Sequence, residues 1–175
     1  TRRAGRMARE MFLDELQKEF ETAKESKPKL QKFHEKISRL RFLDPACGCG
    51  NFLIIAYREL RLLELEVIKV LLYKYGKLRP EVASDAGIDI GHLLKCDVDR
   101  FYGIEYEEFP AQIAQVAMWL IDHQMNMKAS ETFGEYYIRL PLKKSATVVY
   151  GNALRIDWQS LLVEENDFKS ESDFF

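Results

Sequence analysis

Hydrophobic positions in the first part of the chain recur with a helical period. Phe12, Leu13, Leu16, Phe20 and Ala23 share one face, and Leu30, Phe33, Ile37 and Leu40 share another. Ser26-Lys27-Pro28 separates the two runs, because proline interrupts a helix and restricts the residue before it. Two helices are therefore predicted, forming an N-terminal extension over residues 1–40 that packs on the main fold. The period then changes. Arg41-Phe42-Leu43-Asp44 is short, apolar and followed by Pro45 and two glycines, the pattern of a buried strand ending in a loop. Leu53, Ala56, Tyr57, Leu60, Leu63, Val67, Val70 and Leu71 restore helical spacing, with Gly76 as the expected stop. Residues 77–99 read mostly as loop.

Phe101-Tyr102-Gly103-Ile104-Glu105 is the second strand candidate. Glu107, Glu108 and Pro110 supply helix-start chemistry: acids for the partial positive charge of a first turn, and proline at an early position. Ile113, Val116, Ala117, Leu120 and Ile121 form the stripe expected to face the core, and Met118 and Trp119 beside it read as packing. Lys128 to Lys144 reads as a polar connection. Thr147-Val148-Val149-Tyr150 is a third strand, ended by Gly151-Asn152. The order strand, helix, strand, helix, strand predicts an α/β domain with a parallel sheet and right-handed crossovers. In such sheets ligands sit beyond the carboxyl ends of the strands.

Composition narrows the class. A chain of 175 residues has room for one domain with a real core. The most apolar stretch, Phe52 to Tyr75, contains Arg58, Glu59, Arg61, Glu64, Glu66 and Lys69, too much charge to span a bilayer, and no secretory leader is read at the start. The three cysteines, Cys47, Cys49 and Cys96, are an odd number, which favours a reducing, intracellular setting. The Cys47–Cys49 spacing suits neither a mutual disulfide nor zinc, so no metal is expected. A net charge of −2 argues against a self-sufficient DNA binder. Arg2, Arg3, Arg6 and Arg9 crowd one end and Glu164, Glu165, Asp167, Glu171 and Asp173 the other; both read as solvated ends. Asp122 and His123 are adjacent on a helix, so their side chains diverge and a structural role is expected. His34 and His92 have no sequence neighbour to act with, and Trp158 is expected to be half exposed.

Chemistry concentrates at the three strand ends. Asp44-Pro45-Ala46-Cys47-Gly48-Cys49-Gly50-Asn51-Phe52-Leu53 joins a strand to a helix. Its glycines permit a sharp turn and a close approach, and the helix start offers free N–H groups to an anionic ligand. Alone, G-x-G also fits an ordinary strand-to-helix turn. A dinucleotide site needs a third glycine where Leu53 stands and an acid about 20 residues on; Glu105, the next strand-ending acid, comes much later. Glu105 is either a surface or cap residue, or an acceptor for two ribose hydroxyls, bonds that its charge strengthens. Gly151-Asn152 is either a plain turn or places an amide that both donates and accepts.

Asp44 to Leu53 closely resembles motif I of the N6-adenine-specific DNA methyltransferases, D-P-A-C-G-S-G-x-F-L, with Cys49 where serine is common. Gly103-Ile104-Glu105-Tyr106 resembles motif II, and Gly151-Asn152-Ala153-Leu154 resembles motif III, with Asn152 for the more frequent aspartate. The flanks Tyr57-Arg58-Glu59-Leu60, Glu108 to Ala114 and Asp122 to Asn126 are similar to the branch found in large bacterial fused restriction–modification proteins (Type IIG/IIL-like) or phage-defence methylases. The resemblance covers Phe12 to Asp157. It implies a Rossmann-like S-adenosylmethionine-dependent methyltransferase fold, a partial parallel sheet carrying the N-terminal helical extension. It also implies that Asp44, Pro45, Ala46, Cys47, Gly48, Gly50, Asn51, Phe52 and Leu53 surround the methionine part of S-adenosylmethionine. Glu105 then binds the ribose, Tyr106 packs on adenine, and Asn152, with Ala153 and Leu154, meets the adenine amino group.

The family flips an adenine from double-stranded DNA and holds it with Asn/Asp-Pro-Pro-Tyr/Phe at the fourth strand. No Pro-Pro occurs in this chain, and the upstream G-x-x-Y-T motif is also missing. Residues 41–175 are therefore expected to be the cofactor-binding half of a methyltransferase domain, cut before the catalytic motif and without catalytic residues. The fragment alone is expected to be inactive, and DNA to be engaged through further domains of a cytoplasmic bacterial parent. The incomplete sheet makes self-association through an open edge an expectation. Methylation of cytosine N4, a protein or a small molecule, a nicotinamide-dependent reaction, and a non-catalytic module of the same fold remain the alternatives.

Overall fold

Three parallel strands form the centre of the molecule, in the order β1 (Phe42–Asp44), β2 (Phe101–Glu105), β3 (Thr147–Tyr150). The computed structural model describes residues 12–77, 90–133 and 145–162, together with Arg6. β2 pairs with β1 at Phe42↔Phe101, Leu43↔Tyr102 and Asp44↔Gly103, and with β3 from Tyr102↔Thr147 to Glu105↔Tyr150. Phe101, Tyr102, Gly103 and Ile104 are all buried, as in a central parallel strand covered on both faces. β1 is only partly buried, contrary to expectation, because it lies at an edge of the sheet among the described residues. Phe42 stacks on Phe101 with centroids 4.8 Å apart, and Tyr57 meets the same ring edge-on at 5.2 Å.

Helices α1 (Asp14–Ala23) and α2 (Lys27–Ser38) pack together, and α2 leans on α3 (Asn51–Lys69), the β1–β2 crossover. Leu16, Phe20, Ala23, Leu30, Phe33 and Ile37 enter the same core as the sheet, as the sequence periodicity predicts. α3 continues as a π-helical turn, Val70–Tyr75, closed by Gly76 N–H donating to the Leu71 carbonyl at 2.8 Å. Gly76 is the stop, yet the positive φ falls on Lys77. The short α4 (Ile90–Leu93) and a 3-10 turn, Val98–Arg100, occupy part of the stretch read as loop; residues 78–89 lie outside the described residues. So do residues 134–144, the acids from Glu164 to Asp173, and the early arginines other than Arg6.

α5 (Glu108–Phe133) connects β2 to β3, packs along α3, and departs most from the sequence reading. Its buried face is Ala111, Ala114, Met118, Ile121, Asp122, Met125, Asn126, Ala129 and Phe133. Ile113, Val116 and Leu120, expected in the core, are exposed, and so is Trp119. Ala114 faces inward where the loop after β1 comes close: a Cβ on Gly50 would sit 3.1 Å from Ala114 Cβ. The helix also runs through Phe133, past the expected start of the connection at Lys128, since Ala129 and Phe133 extend the buried stripe. No described helix is long and apolar enough to cross a membrane.

A buried polar network joins α2, α3, α5 and the approach to β2. Glu64, fully buried, accepts from Lys95 N–H at 2.6 Å and Cys96 N–H at 2.8 Å, and from Arg61 Nη1 at 2.6 Å. His34 Nε2 lies 3.1 Å from the same carboxylate. Arg61 Nη2 donates to Asn126 Oδ1 at 3.0 Å, Asn126 Nδ2 donates to Asp122 at 3.3 Å, and Tyr57 OH donates to Asp122 at 2.5 Å. Asp122 is thus structural, while His123 turns outward and stacks on Trp119.

Candidate functional site

Parallel pairing in register brings the three carboxyl ends side by side. After β1, Asp44 Oδ1 accepts from Ala46 N–H at 3.1 Å, and Cys47 N–H donates to the Ile104 carbonyl of β2 at 3.0 Å. Gly50 N–H then closes a tight turn on the Cys47 carbonyl at 2.8 Å, and Ile54 N–H donates to the Gly50 carbonyl at 2.9 Å to start α3. Gly48 and Gly50 take φ of 54° and 78°, the left-handed region that costs other residues about 1–2 kcal/mol. A Cβ on Gly48 would meet nothing within 4 Å, so the loop is open above this residue. No side chain caps α3 and no acid occupies its first turn, which leaves its positive end to the loop.

The loop has two sides. Pro45, Ala46 and Asn51 are exposed and Gly48 partly so, whereas Cys47, Phe52 and Leu53 are buried beneath. Burial, with the charges of Asp44 and Glu105, pushes the Cys47 thiol up to about 12. Burial also raises the Asp44 carboxyl, helped by the Glu105 charge and opposed by the Ala46 N–H bond.

Glu105 fastens the three ends together. Its Oε2 accepts from Gly48 N–H at 2.7 Å, its Oε1 accepts from Glu107 N–H at 3.0 Å, and its carbonyl accepts from Gly151 N–H at 2.8 Å. Sequence reasoning found Glu105 as a strand-ending acid but not its bond to Gly48, 57 positions away. Tyr106 beside it is 71% exposed. After β3, Asn152 Oδ1 accepts from Leu154 N–H at 2.9 Å, a local turn that occupies part of its acceptor capacity. Ala153 is partly exposed and Leu154 exposed; the Ala153 carbonyl accepts from Trp158 Nε1 at 2.7 Å, and Trp158 is half exposed as expected.

The strand ends bring together a glycine-rich loop, the carboxylates of Asp44 and Glu105, and the exposed ring of Tyr106. This arrangement suits a ligand with a carboxylate for the helix start, hydroxyls for Glu105 and a flat ring for Tyr106. No cluster of His, Cys, Asp and Glu able to hold a metal occurs among the described residues. A separate cavity of about 300 Å³, lined by residues such as Leu13, Glu59, Glu66 and Lys128, includes none of the strand-end residues.

The family described as MmeI, DNA-methyltransferase domain, matches residues 20–175. DNA methyltransferase A of Bacillus subtilis (strain 168) is 34% identical over 149 residues, which is 85% of this chain and 16% of that protein. A putative type II restriction enzyme and methyltransferase of Methanocaldococcus jannaschii is 31% identical over 108 residues, 62% of this chain and 8% of that protein. Among solved structures, the Type IIL restriction-modification enzyme MmeI in complex with DNA is 52% identical with a TM-score of 0.82, covering 93% of this chain and 20% of that one. The chain therefore spans a fifth or less of the length of these relatives.

Proposed function

Since the chain belongs to the MmeI DNA-methyltransferase domain family, we propose that its strand ends are the S-adenosylmethionine site of a restriction–modification DNA methyltransferase that acts on adenine N6. The observation that carries this reading is Glu105, a partly exposed carboxylate that holds the Gly48 loop and still has acceptor positions for two ribose hydroxyls. Ala46, Gly48 and Asn51, with Asp44, Pro45 and Gly50, line the methionine part, and Cys47, Phe52 and Leu53 support them from below. Tyr106 covers one face of the cofactor adenine, and Asn152, with Ala153 and Leu154, borders its amino edge. The cofactor supplies the methyl group; the contribution of these residues is to hold it in one orientation.

The N-terminal helices, up to residue 40, form an extension to the cofactor-binding half that starts with β1. The acceptor adenine, flipped from double-stranded DNA, is held by other parts of the parent polypeptide, which we assign to the bacterial cytoplasm. On this reading the chain alone transfers no methyl group.

Titration calorimetry of the parent protein with S-adenosylhomocysteine tests the site. Glu105→Ala is expected to weaken binding by about ten-fold or more, the worth of charge-assisted hydrogen bonds; unchanged affinity would overturn the assignment. Nucleoside analysis of DNA methylated by the parent tests the target base: N6-methyladenine is expected, and N4-methylcytosine refutes it.

A further inference from the structure

α5 carries a second apolar stripe, and this one faces solvent. Phe109, Ile113, Val116, Leu120, His123 and Met127 follow one another in alternating steps of four and three. That is the 3.5-residue repeat of a helix–helix seam. Phe109 is 72%, Val116 57% and Leu120 46% exposed. From Phe109 to Met127 the only Asp, Glu, Lys or Arg is Asp122, and it is buried. The residues flanking the stripe, Gln112, Ala117, Trp119 and Gln124, are uncharged. A solvated helix face carries charge; loss of charge together with exposed Trp, Phe and Met marks the centre of an interface.

We propose that this stripe is the docking face for an amphipathic helix contributed by the rest of the parent polypeptide. The narrow 4-3 seam selects a helix lying nearly parallel or antiparallel to α5, not a strand or a flat surface. At least four-fifths of each relative lies outside the matched region, so a long polypeptide is available to supply that helix. A second copy fits less well. Antiparallel pairing about the stripe's centre sets His123 against Ile113 and leaves the imidazole without a polar partner, while parallel pairing sets two helix dipoles side by side in the same sense. The inference does not depend on what the strand ends bind.

Maleimide labelling of the parent protein, read site by site by peptide mass spectrometry, tests it. Val116→Cys and Leu120→Cys are compared with Arg39→Cys, whose native side chain is 78% exposed. Both stripe positions are expected to label at least about ten-fold more slowly than position 39, the protection given by a stable local contact. Any smaller difference overturns the proposal. Protection that vanishes on dilution, as a dimer of the parent dissociates, also overturns it by making the occupant a second copy.

Discussion

Two glutamates bracket β2, and each accepts two backbone N–H groups. Glu64 holds Lys95 and Cys96 at the approach to the strand, and Glu105 holds Gly48 and Glu107 at its carboxyl end. Their surroundings separate them. Glu64 is fully buried, and the Arg61 guanidinium compensates its charge. Glu105 is partly exposed, and neither of its carboxylate's partners is a cation. The same acceptor chemistry therefore fixes structure at one end of the strand and leaves unused acceptor positions at the other.

The largest expected effect tests that division. Glu64→Ala leaves the Arg61 guanidinium buried without its carboxylate and is expected to cost about 3–5 kcal/mol in urea denaturation. Glu105→Ala removes two hydrogen bonds that water can replace, and is expected to cost about 1–2 kcal/mol. Equal losses would erase the distinction between the two ends.

The two ends also differ in how far the sequence reveals them. β2 and β3 have the predicted bounds, and the loop from Asp44 to Leu53 is a contiguous motif. These features are local, so a pattern along the chain captures them. The network is not local. Arg61 and Glu64 read as charges interrupting an apolar run, because their partners, His34, Lys95, Cys96 and Asn126, are remote in sequence. α5 misleads for a related reason. Its larger apolar residues, Ile113, Val116 and Leu120, outweigh Ala111 and Ala114 in any count of hydrophobicity, but Ala111 and Ala114 are the buried ones, and at Ala114 the close approach of Gly50 leaves room only for a small side chain.

That close approach yields an intermediate effect. Gly50→Ala forces a left-handed φ on a residue with a Cβ and presses it against Ala114. The expected loss is about 1–2 kcal/mol for the backbone alone, read as a lower urea midpoint. The comparison sharpens if this variant of the parent loses S-adenosylhomocysteine affinity while Glu64→Gln, tested alongside it, retains it. The reverse pattern would place binding at the wrong end of β2.

The smallest effect appears only in acid, and the two ends should move in opposite directions. Burial alone would raise Glu64, but hydrogen bonding to His34, the Arg61 charge and the Cys96 N–H bond outweigh it and hold the carboxyl below its ordinary value. The folded protein therefore releases this proton more readily than the unfolded chain. The stability Glu64 contributes is whole above the unfolded value of about 4.3 and drains as pH falls through the folded one. Asp44 is held above its ordinary value, chiefly by burial. The cost of keeping it ionised is present at neutral pH and is relieved as pH falls through its raised folded value. In urea midpoints followed from neutral to acid pH, Glu64→Gln is expected to flatten the acid loss and Asp44→Asn to steepen it. If both variants bend the profile the same way, the carboxylates at the two ends share one environment and the contrast between them fails.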